Sequence, residues 1–360
     1  MLSGRVTGFF LYDVAEAIDL DAVGRLISSS TSARMAPKPL APPYIQYARP
    51  PVSVEGRAVD MPELEGWQVR FKTFDYGVIS LALTRPMPGT WDEMLALAAG
   101  WHEEPGLPRS AEQFCRALVA RLGPALTHPR PEFLSEDYLV FTVTRVAGLE
   151  TAEALLSAHG TSLAQVLRGE REPLSAQERD EVLRQRISYL TTDLVVPAWN
   201  AAFVYDTEAG AHGVIEILEF ANSQLLEFRY YDQLLDSELA RIYGQLQQPG
   251  YGQHWFGRRF TRAARQVHSL FIDVNELTDK TENALKIAGD VYAARLFTLV
   301  GARLGLEQWK ANVREKLKTL DDIYRFAVEQ TAMARGEVLE LMIVAILVFE
   351  LVLFFLGIMR

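Results

Sequence analysis

One cysteine, Cys115, occurs in 360 residues, which excludes an intramolecular disulfide and a thiolate zinc site and fits a reducing compartment. Basic residues are also scarce. The 36 Lys and Arg face 46 Asp and Glu, for a formal net charge of −10. Such a chain lacks the basic surface a general DNA-binding protein needs to displace phosphate counterions. No GxxxxGK[ST], HExxH or GxSxG occurs, and the six histidines lie scattered without ligand spacing. Gly250-Tyr251-Gly252 follows a helical pattern, so it is no dinucleotide fingerprint. The sequence therefore offers no candidate catalytic, cofactor-binding or metal-binding residues, and a non-enzyme with no cofactor is expected. A secretory leader is missing too, because the apolar residues 6–12 are few, lack a basic flank and run into Asp13 and Glu16.

What is present is a long apolar run at the C-terminus. Residues 341–359 read LMIVAILVFELVLFFLGIM, broken only by Glu350. As a helix these residues rise roughly 28 Å, near the ~30 Å hydrocarbon core of a bilayer. Leu, Ile, Val and Phe there contribute about −4 to −8 kcal/mol to insertion, against about +3 for the carboxylate. The expectation is one transmembrane tail anchor at 337–360. Lys318, Arg325 and Arg335 precede it and only Arg360 follows, which puts the N-terminal bulk on the cytoplasmic side, or on the matrix side in an organelle. Glu350 shares a helix face with Ile343, Ile346, Leu353 and Gly357, and Glu340 lies near the boundary. An ionisable group at that depth is either tolerated in its neutral form or hidden by packing several copies.

Upstream, 211–336 carries narrow apolar seams. Leu225, Phe228, Asp232, Leu235, Leu239, Ile242 and Leu246 step by threes and fours, as do Val313, Leu317, Leu320, Tyr324 and Ala327. The pattern predicts a coiled-coil stalk, packed within one chain or between copies. Arg258, Arg259, Arg262 and Arg265, beside Trp255 and Phe256, form the densest basic cluster. It reads either as a solvated helix junction or as a patch for an anionic partner. Residues 1–210 mix strand-like and helical stretches and predict an α+β or α/β domain, with a hairpin at 68–84.

Several stretches resemble the "required for meiotic nuclear division" or YagE-like family. They are SYLTTDLVVPAWNAAFVYD (188–206), GVIEILEFANSQLLEFRYYDQLLDSEL (213–239), DVNELTDKTENALKIAGDVYAARL (273–296) and residues 337–350, with a weaker match in TFDYGVISLAL (73–83). The first 60 residues are not covered. The resemblance implies a C-terminal membrane anchor and, for the mitochondrial members, support of translation by tethering ribosomes. It carries no catalytic residues. The expected function is a membrane-anchored, non-enzymatic scaffold, homo-oligomeric, bound to the bilayer and to an unidentified cytoplasmic protein or ribonucleoprotein. Two alternatives remain at this point: an oligomeric ion-conducting assembly lined by Glu350, and an unrecognised enzyme in the N-terminal domain.

Overall fold

The computed structural model describes residues 2–30, 45, 47, 49–56, 64–87, 89–101, 106–246, 270–272, 274, 275, 278 and 291–355, with the backbone alone at 28–30, 245–246, 326–341 and 351–355. Two units divide the chain. The first comprises Met1–Tyr230 and Leu277–Lys310, the second Tyr231–Glu276 and Ala311–Arg360.

The first unit is organised by alternation along β1 (Leu2–Ile18). Phe10, Tyr12 and Val14 belong to one apolar core, Phe9 and Leu11 to another. Successive side chains of a strand point to opposite faces, so both faces of this sheet are covered. β1 pairs antiparallel with β4 (Val78–Pro86) and with β5 (Leu126–Val146). With β2 (Val52–Gly56), β3 (Gln68–Thr73), β6 (Leu194–Pro197) and β7 (Ala201–Tyr205) the strand order is β2-β3-β4-β1-β5-β7-β6. All pairs are antiparallel except β5 with β7. A parallel pair needs a long crossover, here supplied by α4 (Ala152–Arg168) and α5 (Ala176–Arg184).

α1 (Leu20–Ser30), α2 (Trp91–Gly100), α3 (Gly106–Leu122), α4 and α5 cover one face. Their ends are chemically marked. Thr90 and Glu93 form a reciprocal capping box on α2, Thr151 caps α4, and Gly169 closes α4 in the left-handed region at φ 63°. The opposite face is covered by α6 (Glu208–Leu246), through Val214, Leu218, Ala221 and Leu225, and by α7 (Val291–Leu304), through Leu296, Phe297 and Val300. The mixed α/β character expected of the N-terminal part is present, and the expected boundary at residue 210 falls inside α6.

In the second unit the end of α6 meets α8 (Leu306–Phe355). Lys316 pairs with Asp232 at 2.7 Å and Asp236 at 2.6 Å, while Tyr324 donates to Glu238 at 2.8 Å. Numbers rise together on both helices, so the two run parallel. Neighbouring helices of a simple hairpin would run antiparallel. The long intervening chain allows the parallel return.

The expected terminal span is corrected here. Among the described residues no helix is long and apolar enough to cross a membrane. The carboxylate of Glu350 interrupts the apolar stretch of α8 and is exposed, as are the described side chains from Met342 to Phe349 before it. The transmembrane helix, the tail anchor and the single-pass membrane location fall together. The bilayer loses its basis as a partner, and so does an intramembrane ring of Glu350.

Candidate functional site: charged groups buried between α6 and the sheet

β3 places Val69 and Phe71 in one core and turns Arg70 and Lys72 toward α6. α6 answers with Glu216 and Glu219, one turn apart. Arg70 reaches Glu216 at 3.3 Å and Glu219 at 3.0 Å. The Lys72 ammonium lies 2.6 Å from Glu219 and is bonded to Glu216 as well. Lys72 and both carboxylates are 1% exposed. Burial alone would raise the Glu219 pKa. Arg70 and Lys72, both hydrogen-bonded to it, override it and hold this carboxyl well below the usual range. Two cations against two carboxylates leave no net charge, which is the condition for burying such groups at tolerable cost.

Polar side chains continue along the same helix. Asn222 donates to the Leu218 carbonyl at 2.8 Å. Ser223 donates to the Phe220 carbonyl at 2.7 Å, so the 2.6 Å contact between Tyr76 and Ser223 has the phenol as donor. Burial pushes the Tyr76 and Tyr47 hydroxyls far up in pKa. Further along, Asp13 is fully buried and sits 2.7 Å from Arg130 Nε. The Arg130 guanidinium lies 3.6 Å over the Tyr230 ring. Burial raises the Asp13 pKa, and Arg130 offsets only part of that. Arg229 pairs with Glu136 beside them.

Irregular strand pairing makes the Asp13–Arg130 contact. Asp13 is opposite Leu134, but Ala15 is opposite Pro129. The additional residues of β5, 130–133, arch over β1. Arg130 is carried to Asp13, and Phe133 to Tyr12 at 6.3 Å.

These groups bind one another and do not converge on open space. A cavity of about 50 Å³ does lie at the other face, lined by Ala98, Trp101, Val166, Leu167, Arg168 and Asn200. Metabolite pockets are typically about 300 Å³ or more, so this one takes only small molecules such as water. Among the described residues no cluster of three His, Cys, Asp or Glu side chains is placed to hold a metal. Cys115 is buried, and burial pushes its thiol up and keeps it protonated.

The residues singled out from sequence are distributed as follows. Leu225 is buried in the first unit, among the α6 residues on the sheet. Leu235, Val313, Leu317, Leu320 and Tyr324 are buried in the second unit and Leu239 is half-buried there. Ile343, Ile346 and Glu350 are exposed. The side chains of Glu340 and Leu353, and all of Gly357, Arg258, Arg259, Arg262 and Arg265, lie outside the described residues.

Sequence reading missed the buried charges. The signal was available: cations at alternate positions in QVRFKT, and carboxylates three apart inside the apolar run VIEILEFA. Each pattern matches the period of its own element, one face of a strand and one face of a helix.

Comparison with known proteins addresses the first unit. A family model described as "Uncharacterized protein MJ0711, N-terminal domain" matches residues 3–212. The "Uncharacterized protein MJ0711" of Methanocaldococcus jannaschii is 24% identical over 201 residues, covering 56% of this chain and 61% of that relative. The chain thus matches less than two thirds of the relative's length. No solved structure matches. Neither finding mentions meiotic division or the YagE-like family. A match that runs from β1 into the start of α6 takes in more than half of the chain, and the protein belongs to the family of the uncharacterized protein MJ0711 N-terminal domain.

Proposed function

We propose that the protein is a non-enzymatic scaffold that self-associates through the C-terminal end of α8 and uses its α/β unit to hold a partner. One observation carries the reading. Met342, Ile343, Val344, Ile346, Leu347, Val348 and Phe349 are each between 53% and 63% exposed. Together they form a continuous exposed apolar stretch of the helix. Isolated large apolar patches mark association surfaces. A second copy of the chain is the occupant that fits. Ile343, Ile346 and Glu350 share one side of the helix, and apposed copies would cover that side and shield the carboxyl. The resemblance of residues 188–206 and 213–239 to the YagE-like family supports a protein or ribonucleoprotein as the partner of the α/β unit.

Sedimentation of the full chain against Ile343→Glu/Ile346→Glu tests the association. The wild type is expected as an oligomer at micromolar concentration and the double variant as a monomer. A wild-type chain that sediments as a monomer, or a variant with unchanged mass, would overturn the reading.

A further inference from the structure

The loop between α5 and β6 is built unlike an ordinary connection. Its base is closed by a two-way backbone pair, Ile187 N–H to the Val195 carbonyl at 3.0 Å and Val195 N–H to the Ile187 carbonyl at 2.9 Å. Its tip is held by Asp193, which is 5% exposed. The Asp193 carboxylate accepts from the Tyr189 N–H at 2.8 Å and the Leu190 N–H at 2.5 Å. Charge-assisted bonds to two successive amides fix the backbone in one shape. Yet the side chains so fixed are turned outward. Tyr189 is 74% exposed and Leu190 60%. A loop ordered for packing would bury them.

α7 extends the patch. The Tyr189 ring meets Tyr292 edge-on, with centroids 5.5 Å apart. Val291 next to it is 74% exposed. Arg295 follows Tyr292 by one helical turn, and Arg186 precedes Tyr189 by three residues; both are exposed. The Arg186 guanidinium donates to the Leu183 carbonyl, and neither arginine forms an ion pair among the described residues. The nearby carboxylate of Asp193 is turned inward and occupied. The surface is thus aromatic and preformed, with two guanidiniums at its edge that make no ion pair among the described residues.

We infer that Tyr189, Leu190, Tyr292 and Val291, flanked by Arg186 and Arg295, form a docking surface for an acidic peptide segment bearing apolar side chains. Aromatic and arginine side chains held rigidly before binding are the residues that concentrate interface energy, because little rotamer freedom remains to be lost. The apolar side chains of the partner cover Tyr189 and Leu190, and its carboxylates meet the two guanidiniums. Single-stranded nucleic acid also stacks on aromatics beside arginine, but the exposed aliphatic side chains of Leu190 and Val291 suit apolar side chains of a peptide and give a base no ring to stack on. The assignment rests on the scaffold reading and names the partner of its α/β unit.

Fluorescence anisotropy with the full chain tests it, using three labelled probes: a peptide alternating glutamate with leucine and phenylalanine, the same peptide with lysine in place of glutamate, and polyuridine RNA. The glutamate peptide is expected to bind saturably and to weaken as salt is raised. Tyr189→Ser, Leu190→Ser and Arg295→Glu should each weaken it by about tenfold or more, and Arg295→Glu should gain affinity for the lysine peptide. All three positions are exposed, and coincident thermal melts establish that the variants fold. Absence of saturable binding, affinity unchanged in the variants, or a preference for the lysine peptide or the RNA would each overturn the assignment. Sedimentation of the same preparations reads self-association separately, so either proposal can fail while the other stands.

Discussion

At Gly8 the absence of a side chain is a packing requirement. A Cβ there would fall 2.2 Å from the outer ring of Trp101, whose indole stacks on Phe10 and donates to Asp137 at 3.0 Å. Gly8→Ala should displace the indole, with a cost of about 1–3 kcal/mol for overpacking. Tryptophan fluorescence should shift to the red and the melting temperature fall; an unshifted spectrum would show that the site yields without cost. Lys72 makes the contrasting case, where removal does the damage. Lys72→Met leaves Glu216 and Glu219 with Arg70 alone in a dry site, at a cost of about 3–5 kcal/mol. At roughly 2–4 °C per kcal/mol for a chain of this size the melting temperature should drop by about 6–20 °C. A drop under about 2 °C would mean that water reaches the pair and screens it.

At the scale of elements, α6 has to be both a core helix and a polar one. Its pH response follows from that. A carboxylate whose pKa is lowered by folding contributes stability that is complete above its unfolded pKa and lost as pH falls through the folded value. Glu219 is such a group, so the stability gap between wild type and Glu219→Gln should narrow as pH is lowered from about 5 toward 2. Denaturant midpoints across that range check it, and a constant gap would mean that Glu219 is not held low. Asp13, raised by burial, works in the opposite sense, so the two do not add. Sequence alone shows where most of these elements run. The alternation in residues 6–12 and 68–84 and the three-four steps around Leu235 and Leu317 are local patterns, and local patterns survive in one dimension. The charge pairing does not survive in this way, since Arg70 and Glu216 are 146 positions apart. Nor does the arch of residues 130–133, because a shift in register depends on two strands at once.

For the molecule as a whole, the division into units does not follow hydropathy. Seams spaced alike at Leu225 and Leu235 suggested one continuous stalk, yet Leu225 lies on the sheet and Leu235 in the second unit. Periodicity reports that a face is buried and is silent about what buries it. The apolar run near the C-terminus misled for a related reason, because composition in a window was read as a span. The sheet carries a consequence of a different kind. Its central strand, β1, is the first to leave the ribosome, while the partner on one side, β5, begins at Leu126 and the helix that neutralises Arg70 and Lys72 begins at Glu208. At ordinary rates of about 5–20 residues per second the nascent chain waits on the order of ten seconds for that helix. For that interval the two cations stand open to solvent without their carboxylate partners. A fragment cut at residue 212, where the family match ends, would leave Arg70 and Lys72 permanently without Glu216 and Glu219. Expression of the α/β unit should therefore extend through Tyr230 and include α7.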